Sequence, residues 1–202
     1  NAKFIVMLRK PIDIVLSFHQ VALNYFGETE TNLETAWDLQ IDRKNGEKIP
    51  QGCPDHQLLL YGEIAKLGLQ VKRLTDYVNW DQIKFIYFDE FVNKTDKVYC
   101  SVLEFLNINK NHTPNFENHN PTRQIKFTKL TKFVNHAVGL KKAVGIKKQF
   151  GVAKMIHTAN VKERPPKQMS QTLKTRMNIY FEKDIQLLSG LMKKNLSDWG
   201  NQ

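Results

Sequence analysis

The run Phe4-Ile5-Val6-Met7-Leu8, followed by Arg9-Lys10-Pro11, leaves the chain few options. Five successive apolar residues, mostly strand formers, predict a strand buried on both faces. Pro11 lacks an N–H and suits the first turn of a helix, where that donor has no partner anyway. Ile12, Val15, Leu16, Ala22, Leu23 and Phe26 then follow at helical spacing. Arg9 therefore leaves the carboxyl end of a core strand, and Ser17 stands two turns into the next helix. Ligands of open α/β sheets bind at that end of the strands. A guanidinium and a short hydroxyl together suit a phosphate, one giving a charged fork and the other a neutral donor. A capping or salt-bridging Arg9 beside a solvated Ser17 would leave the same pattern.

The remainder of the chain extends this unit. A polar connection from Gly27 to Leu33 precedes a short helical segment with Ala36, Trp37, Leu39 and Ile41. Gly46, Pro50, Gly52 and Pro54 mark a loop. Asp55 can then cap one long helix whose stripe runs Leu60, Ile64, Leu67, Val71, Leu74, Val78. Ile83 to Phe88 reads as a second strand ending at Asp89-Glu90, and Thr95 or Asp96 starts a helix carrying Val98, Val102, Leu103 and Leu106. Strand, helices, strand, helix is the order of a parallel sheet covered by helices. Two visible strands are few for such a sheet, so the expected fold is α/β in a single domain, 1–202, whose amino-terminal part is missing.

Charge adds a second constraint. The net charge is +10, and from Asn118 to Lys162 there is no Asp or Glu. Arg123, Lys126, Lys129, Lys132, Lys141, Lys142, Lys147, Lys148, Lys154 and Lys162 fall in that stretch and account for the whole excess. Such a field steers anions. No run of eighteen apolar residues exists, so no membrane span is expected. Cys53 and Cys100 have no metal-site spacing and do not make a disulfide framework, which favours a reducing, cytoplasmic setting. The six histidines show no paired spacing and read as surface or packing residues, and no metal is expected.

Arg-x-Pro with a serine eight positions after the arginine resembles the 3′-phosphate-binding motif of sulfotransferases. These enzymes use 3′-phosphoadenosine 5′-phosphosulfate (PAPS). Tyr61 near a helix start, Gln82-Ile83-x-x-Ile86-x-x-Asp89-Glu90-Phe91, and a helix ending Glu104-Phe105-Leu106-Asn107-Ile108 are similar to the family's middle section. Asn107 replaces the usual glycine there, a tolerable change because Asn accepts left-handed backbone. Lys162-Glu163-Arg164, the pair Tyr180-Phe181 and the closing Trp199 resemble the end of the heparan-type members. Glu163 stands where that family's loop has glycine.

The resemblance implies a P-loop-like three-layer fold, with a central parallel sheet flanked by helices. It also implies transfer of a sulfuryl group from PAPS to a hydroxyl or amine acceptor, a glycan being one candidate. Arg9 and Ser17 would hold the 3′-phosphate of PAPS or its product 3′,5′-ADP, with Lys162 and Arg164 adding charge from a loop. No catalytic residue is assigned, because the phosphosulfate loop and the base of the family lie earlier than Asn1. Two alternatives stay open. A basic nucleic-acid-binding module would explain the charge, though only Phe127, Phe133 and Phe150 interleave the lysines. A catalytically inactive nucleotide-binding fragment would explain the absent loop.

Overall fold

The computed structural model describes residues 2–109, 114–116 and 169–200, together with the backbone of 123–125 and 161–163. It divides into two compact units, Asn1–Glu117 with Met169–Gln202, and Asn118–Gln168.

In the first unit, strand β1 (Phe4–Leu8) leads through Lys10 into helix α1 (Pro11–Tyr25), with Pro11 at its start as expected. Helices α2 (Leu33–Asp38) and α3 (Gln40–Lys44) follow. Asn32 caps α2, its side-chain oxygen accepting from the N–H groups of Glu34 and Thr35 at 2.8 and 3.3 Å. Strand β2 (Ile83–Tyr87) runs parallel to β1 in the register Phe4↔Ile83 to Leu8↔Tyr87. Helices α6 (Phe88–Asn93) and α7 (Thr95–Leu106) come next. Asn107 ends α7 in left-handed backbone at φ 57°, and the N–H of Ile108 donates to the carbonyl of Leu103.

The segment expected as one long helix is three pieces: a 3-10 turn at His56–Leu59, α4 (Tyr61–Ile64) and α5 (Leu67–Thr75). Asp55 caps only the first, accepting from the N–H of Gln57 at 2.9 Å. The reason for the break at Lys66 lies far along the chain. Helix α8 (Gln171–Met192) carries the buried Asp184, whose carboxylate accepts from the N–H groups of Gly68 and Leu69 at 2.8 and 2.9 Å. Such amides are free only at the start of a new helix. A methyl group on Gly68 would sit 2.3 Å from the Asp184 carbonyl oxygen, so glycine lets the two helices touch there.

Helix α8 is the spine of the unit. Leu173, Met177, Phe181, Ile185 and Leu188 are buried and join Leu8, Ile12, Val15, Tyr61 and Val71 in one core. Ser170 caps α8, accepting from the N–H of Leu173 at 3.1 Å while its hydroxyl donates to Glu34 at 3.0 Å.

The three-layer α/β expectation is corrected. The described residues are predominantly helical, and β1 and β2 form a sheet of two strands only. The parallel pairing implied by the order of elements is present, but among the described residues no central multi-stranded sheet is. Burial of β1 on both faces is corrected for the same reason. With one neighbouring strand, only Leu8 is fully buried, while Ile5 and Met7 are 46% and 43% exposed. In the second unit, β3 (Arg123–Ile125) pairs antiparallel with β4 (Val161–Glu163). No helix among the described residues is long and apolar enough to cross a membrane.

Candidate functional site

Parallel, in-register pairing sets the geometry at the strand ends. Because Leu8 lies beside Tyr87, the next residues, Arg9 and Phe88, also meet. The Arg9 guanidinium carbon lies 4.3 Å from the centroid of the Phe88 ring. Asp13, one turn into α1, brings a carboxylate oxygen to 3.7 Å from Arg9 Nε. That nitrogen is buried and makes no hydrogen bond, although a third of the side chain is exposed. Ser17 is exposed, one turn beyond Asp13 along α1. Arg9 follows the carboxyl end of β1 directly, and Ser17 stands in the second turn of α1. A charged fork and a hydroxyl so placed can bind an anion that approaches from solvent.

Lys162 lies in the second unit, in β4 opposite Gln124, so Lys162 and Glu163 belong to a short strand where a loop was expected. Arg164 falls outside the described residues, as do the lysines from 126 to 154 and the helix expected near Leu130.

The connection after α1 carries a buried polar cluster that no sequence motif announces. Glu28 accepts from Arg43 Nη1 and Nη2 at 2.6 and 2.9 Å, and the two side chains are 0% and 1% exposed. The Tyr61 hydroxyl donates to the same carboxylate, as do the N–H groups of Thr29 and Glu30, both at 2.8 Å. Burial acts to raise the pKa of Glu28, but hydrogen bonds from Arg43, Tyr61 and the Glu30 amide outweigh it and hold the carboxyl below its ordinary value. Burial first, then Glu28, pushes the Tyr61 hydroxyl up.

A carboxylate committed to five donors is a poor general base, and the cluster instead fastens the connection after α1 to α3 and α4. His19 is also buried, with Nε2 2.9 Å from the Glu30 carbonyl and its ring edge-on to Tyr61. Gly27, at φ 75°, lets the same connection reach the loop at Gly52, since a Cβ there would lie 2.4 Å from the Gly52 carbonyl oxygen.

A cleft of about 400 Å³ opens between α2–α3, α4 and α8, with Trp37, Lys44, Glu63, Lys66, Arg176 and Tyr180 among its walls. The Tyr180 hydroxyl donates to Glu63 at 3.0 Å, and Lys66 sits 4.7 Å from the Tyr180 ring centroid. Arg9 and Ser17 do not line this cleft.

No protein-family model and no curated protein matches the chain. Among solved structures it is similar to a sulfotransferase from Alicyclobacillus acidocaldarius, with a TM-score of 0.62 at 20% sequence identity. The match covers 98% of this chain and 57% of that one, so the chain spans little more than half the length of that protein. At this identity the likeness is one of fold.

Proposed function

We propose that the chain is the nucleotide-anchoring and carboxyl-terminal portion of a PAPS-dependent sulfotransferase. In this reading a sulfuryl group passes in line from PAPS to a hydroxyl or amine. The bond from sulfur to the bridging oxygen of the 5′-phosphate breaks, a bond from sulfur to the acceptor forms, and the acceptor proton goes to a base. Arg9 and Ser17 hold the adenosine 3′-phosphate, which keeps the sulfur in position for that displacement. Lys162 and Arg164 add positive charge, and the acid-free stretch attracts the multiply charged nucleotide. The phosphosulfate-cradling loop and the base are assigned to no residue of this chain. A reducing, cytoplasmic setting belongs to the same reading.

The observation that supports this best is the position of Arg9. It stands just beyond the carboxyl end of β1, two residues before the helix that carries Ser17, in a chain whose fold resembles part of a sulfotransferase. Calorimetry with 3′,5′-ADP and 5′-AMP tests it. The protein should prefer 3′,5′-ADP. Arg9→Ala should remove that preference by weakening 3′,5′-ADP by about 2 kcal/mol, the low end for a charge-assisted pair because the side chain is one-third exposed. Ser17→Ala should cost about 1 kcal/mol. Equal affinity of the parent protein for both nucleotides refutes the assignment. Tight, salt-sensitive nucleic-acid binding without 3′,5′-ADP binding would favour the basic-module reading that the acid-free stretch also suits.

A further inference from the structure

We infer that Phe88 is a positioning residue for the anion site: its ring is the shelf that fixes which edge of the Arg9 guanidinium meets the ligand. This rests on the assignment of Arg9 to the 3′-phosphate. A guanidinium can take a phosphate side-on, through Nε and one Nη, or end-on, through both Nη atoms. Here the side-on route is closed. Nε is buried, and the Asp13 carboxylate 3.7 Å from it would repel a phosphate on that side. The guanidinium lies over the Phe88 ring, its carbon 4.3 Å from the ring centroid. Nη1 and Nη2 make no hydrogen bond among the described residues, so the end of the fork is the edge left for an anion.

An arginine side chain loses much rotamer freedom when it is held. A ring that restrains the guanidinium before the ligand arrives removes part of that cost from binding. Phe88 is available for this because β1 and β2 are parallel and in register, which sets the first residue after each strand side by side. Phe88 is also the first residue of α6, so its backbone is held by both the strand and the helix.

The experiment is a double-mutant cycle read as the ratio of 5′-AMP to 3′,5′-ADP dissociation constants. Phe88→Met keeps an apolar side chain of similar size and removes the π face. It should lower that ratio about three- to tenfold, with 5′-AMP affinity unchanged. Phe88→Tyr should restore it. In an Arg9→Ala background, Phe88→Met should have no further effect. Thermal melting of each variant checks that it is folded, and Phe88→Leu serves if the methionine variant is not.

Equal loss of both nucleotides, or an effect that persists without Arg9, would make Phe88 a structural residue and overturn the inference. An unchanged ratio in Phe88→Met, beside a collapsed ratio in Arg9→Ala, would overturn the role of Phe88 alone. A parent protein that fails to discriminate the nucleotides would overturn the anchor itself, and Phe88 with it.

Discussion

Changing Glu28 to Gln keeps the shape of a fully buried side chain and removes its charge. The parent carboxylate receives two hydrogen bonds from Arg43, one from Tyr61 and two from backbone amides. An amide has one oxygen to offer, and its NH2 would face donors. The Arg43 cation, 1% exposed, would then be buried without a counter-charge. Breaking a buried pair from one side costs about 3–5 kcal/mol, against a total stability of roughly 5–15 kcal/mol for a domain. At about 2–4 °C per kcal/mol for a chain of this size, the melting temperature should fall by roughly 6–20 °C.

The pH profile adds an independent check. The pKa of Glu28 is lowered in the folded state, so its stabilisation is present above the ordinary carboxylate value of 4.5 and is lost as pH falls through the lowered one. The gap between parent and variant should therefore close in acid. Tyr61 is shifted the other way, so its contribution is present below its ordinary 10.0 and is lost as pH rises beyond that. The assay is chemical denaturation of both proteins from pH 3 to 7. Replacing both partners with apolar residues, Glu28→Leu with Arg43→Met, should recover most of the loss. A cost below about 1 kcal/mol at neutral pH, or a gap that stays constant into acid, would refute the cluster as a fastening for the connection after α1.

Gly68→Ala should destabilise by about 1–3 kcal/mol despite alanine's better helix propensity of roughly 1 kcal/mol, because the new methyl would meet Asp184 backbone at 2.3 Å; equilibrium unfolding in urea checks this. Asn107→Ala should cost about 1 kcal/mol, since φ 57° suits Asn or Gly, and Asn107→Gly should be neutral or slightly stabilising in the same measurement.

Local signals were legible where one element decides them. Pro11 marks the start of α1, the β1 run and Ile83–Tyr87 are strands in parallel, and Asn107 caps α7 in left-handed backbone. Sequence order could imply a parallel pair, but not how many strands would join it. The apolar run of β1 resembles a fully buried strand, yet Ile5 and Met7 remain exposed because a run of that kind records hydrophobicity and not neighbours.

The stripe from Leu60 to Val78 looks continuous because periodicity does not see a tertiary cap. Asp184 accepts the Gly68 and Leu69 amides and splits the helix. A charged residue on the apolar stripe Leu173, Met177, Phe181, Leu188 was the available sign of that contact. Arg9 and Ser17 could be singled out because their spacing is local. Glu28, Arg43 and Phe88 could not, since their partners lie 15, 33 and 79 positions away by chain numbering and no short motif connects them.

Phosphorus NMR of bound 3′,5′-ADP tests the anchor most directly, because it observes the two phosphates separately. A free phosphate monoester titrates with a second pKa near about 6. If Arg9 and Ser17 hold the 3′-phosphate, its resonance in the complex should titrate well below that value, as a dianion stabilised by a cation does. In Arg9→Ala that resonance should return toward the free value, while the 5′-phosphate is unaffected. A 3′-phosphate that titrates as in free nucleotide when bound to the parent protein, or a 5′-phosphate that alone responds to Arg9→Ala, would contradict the assignment.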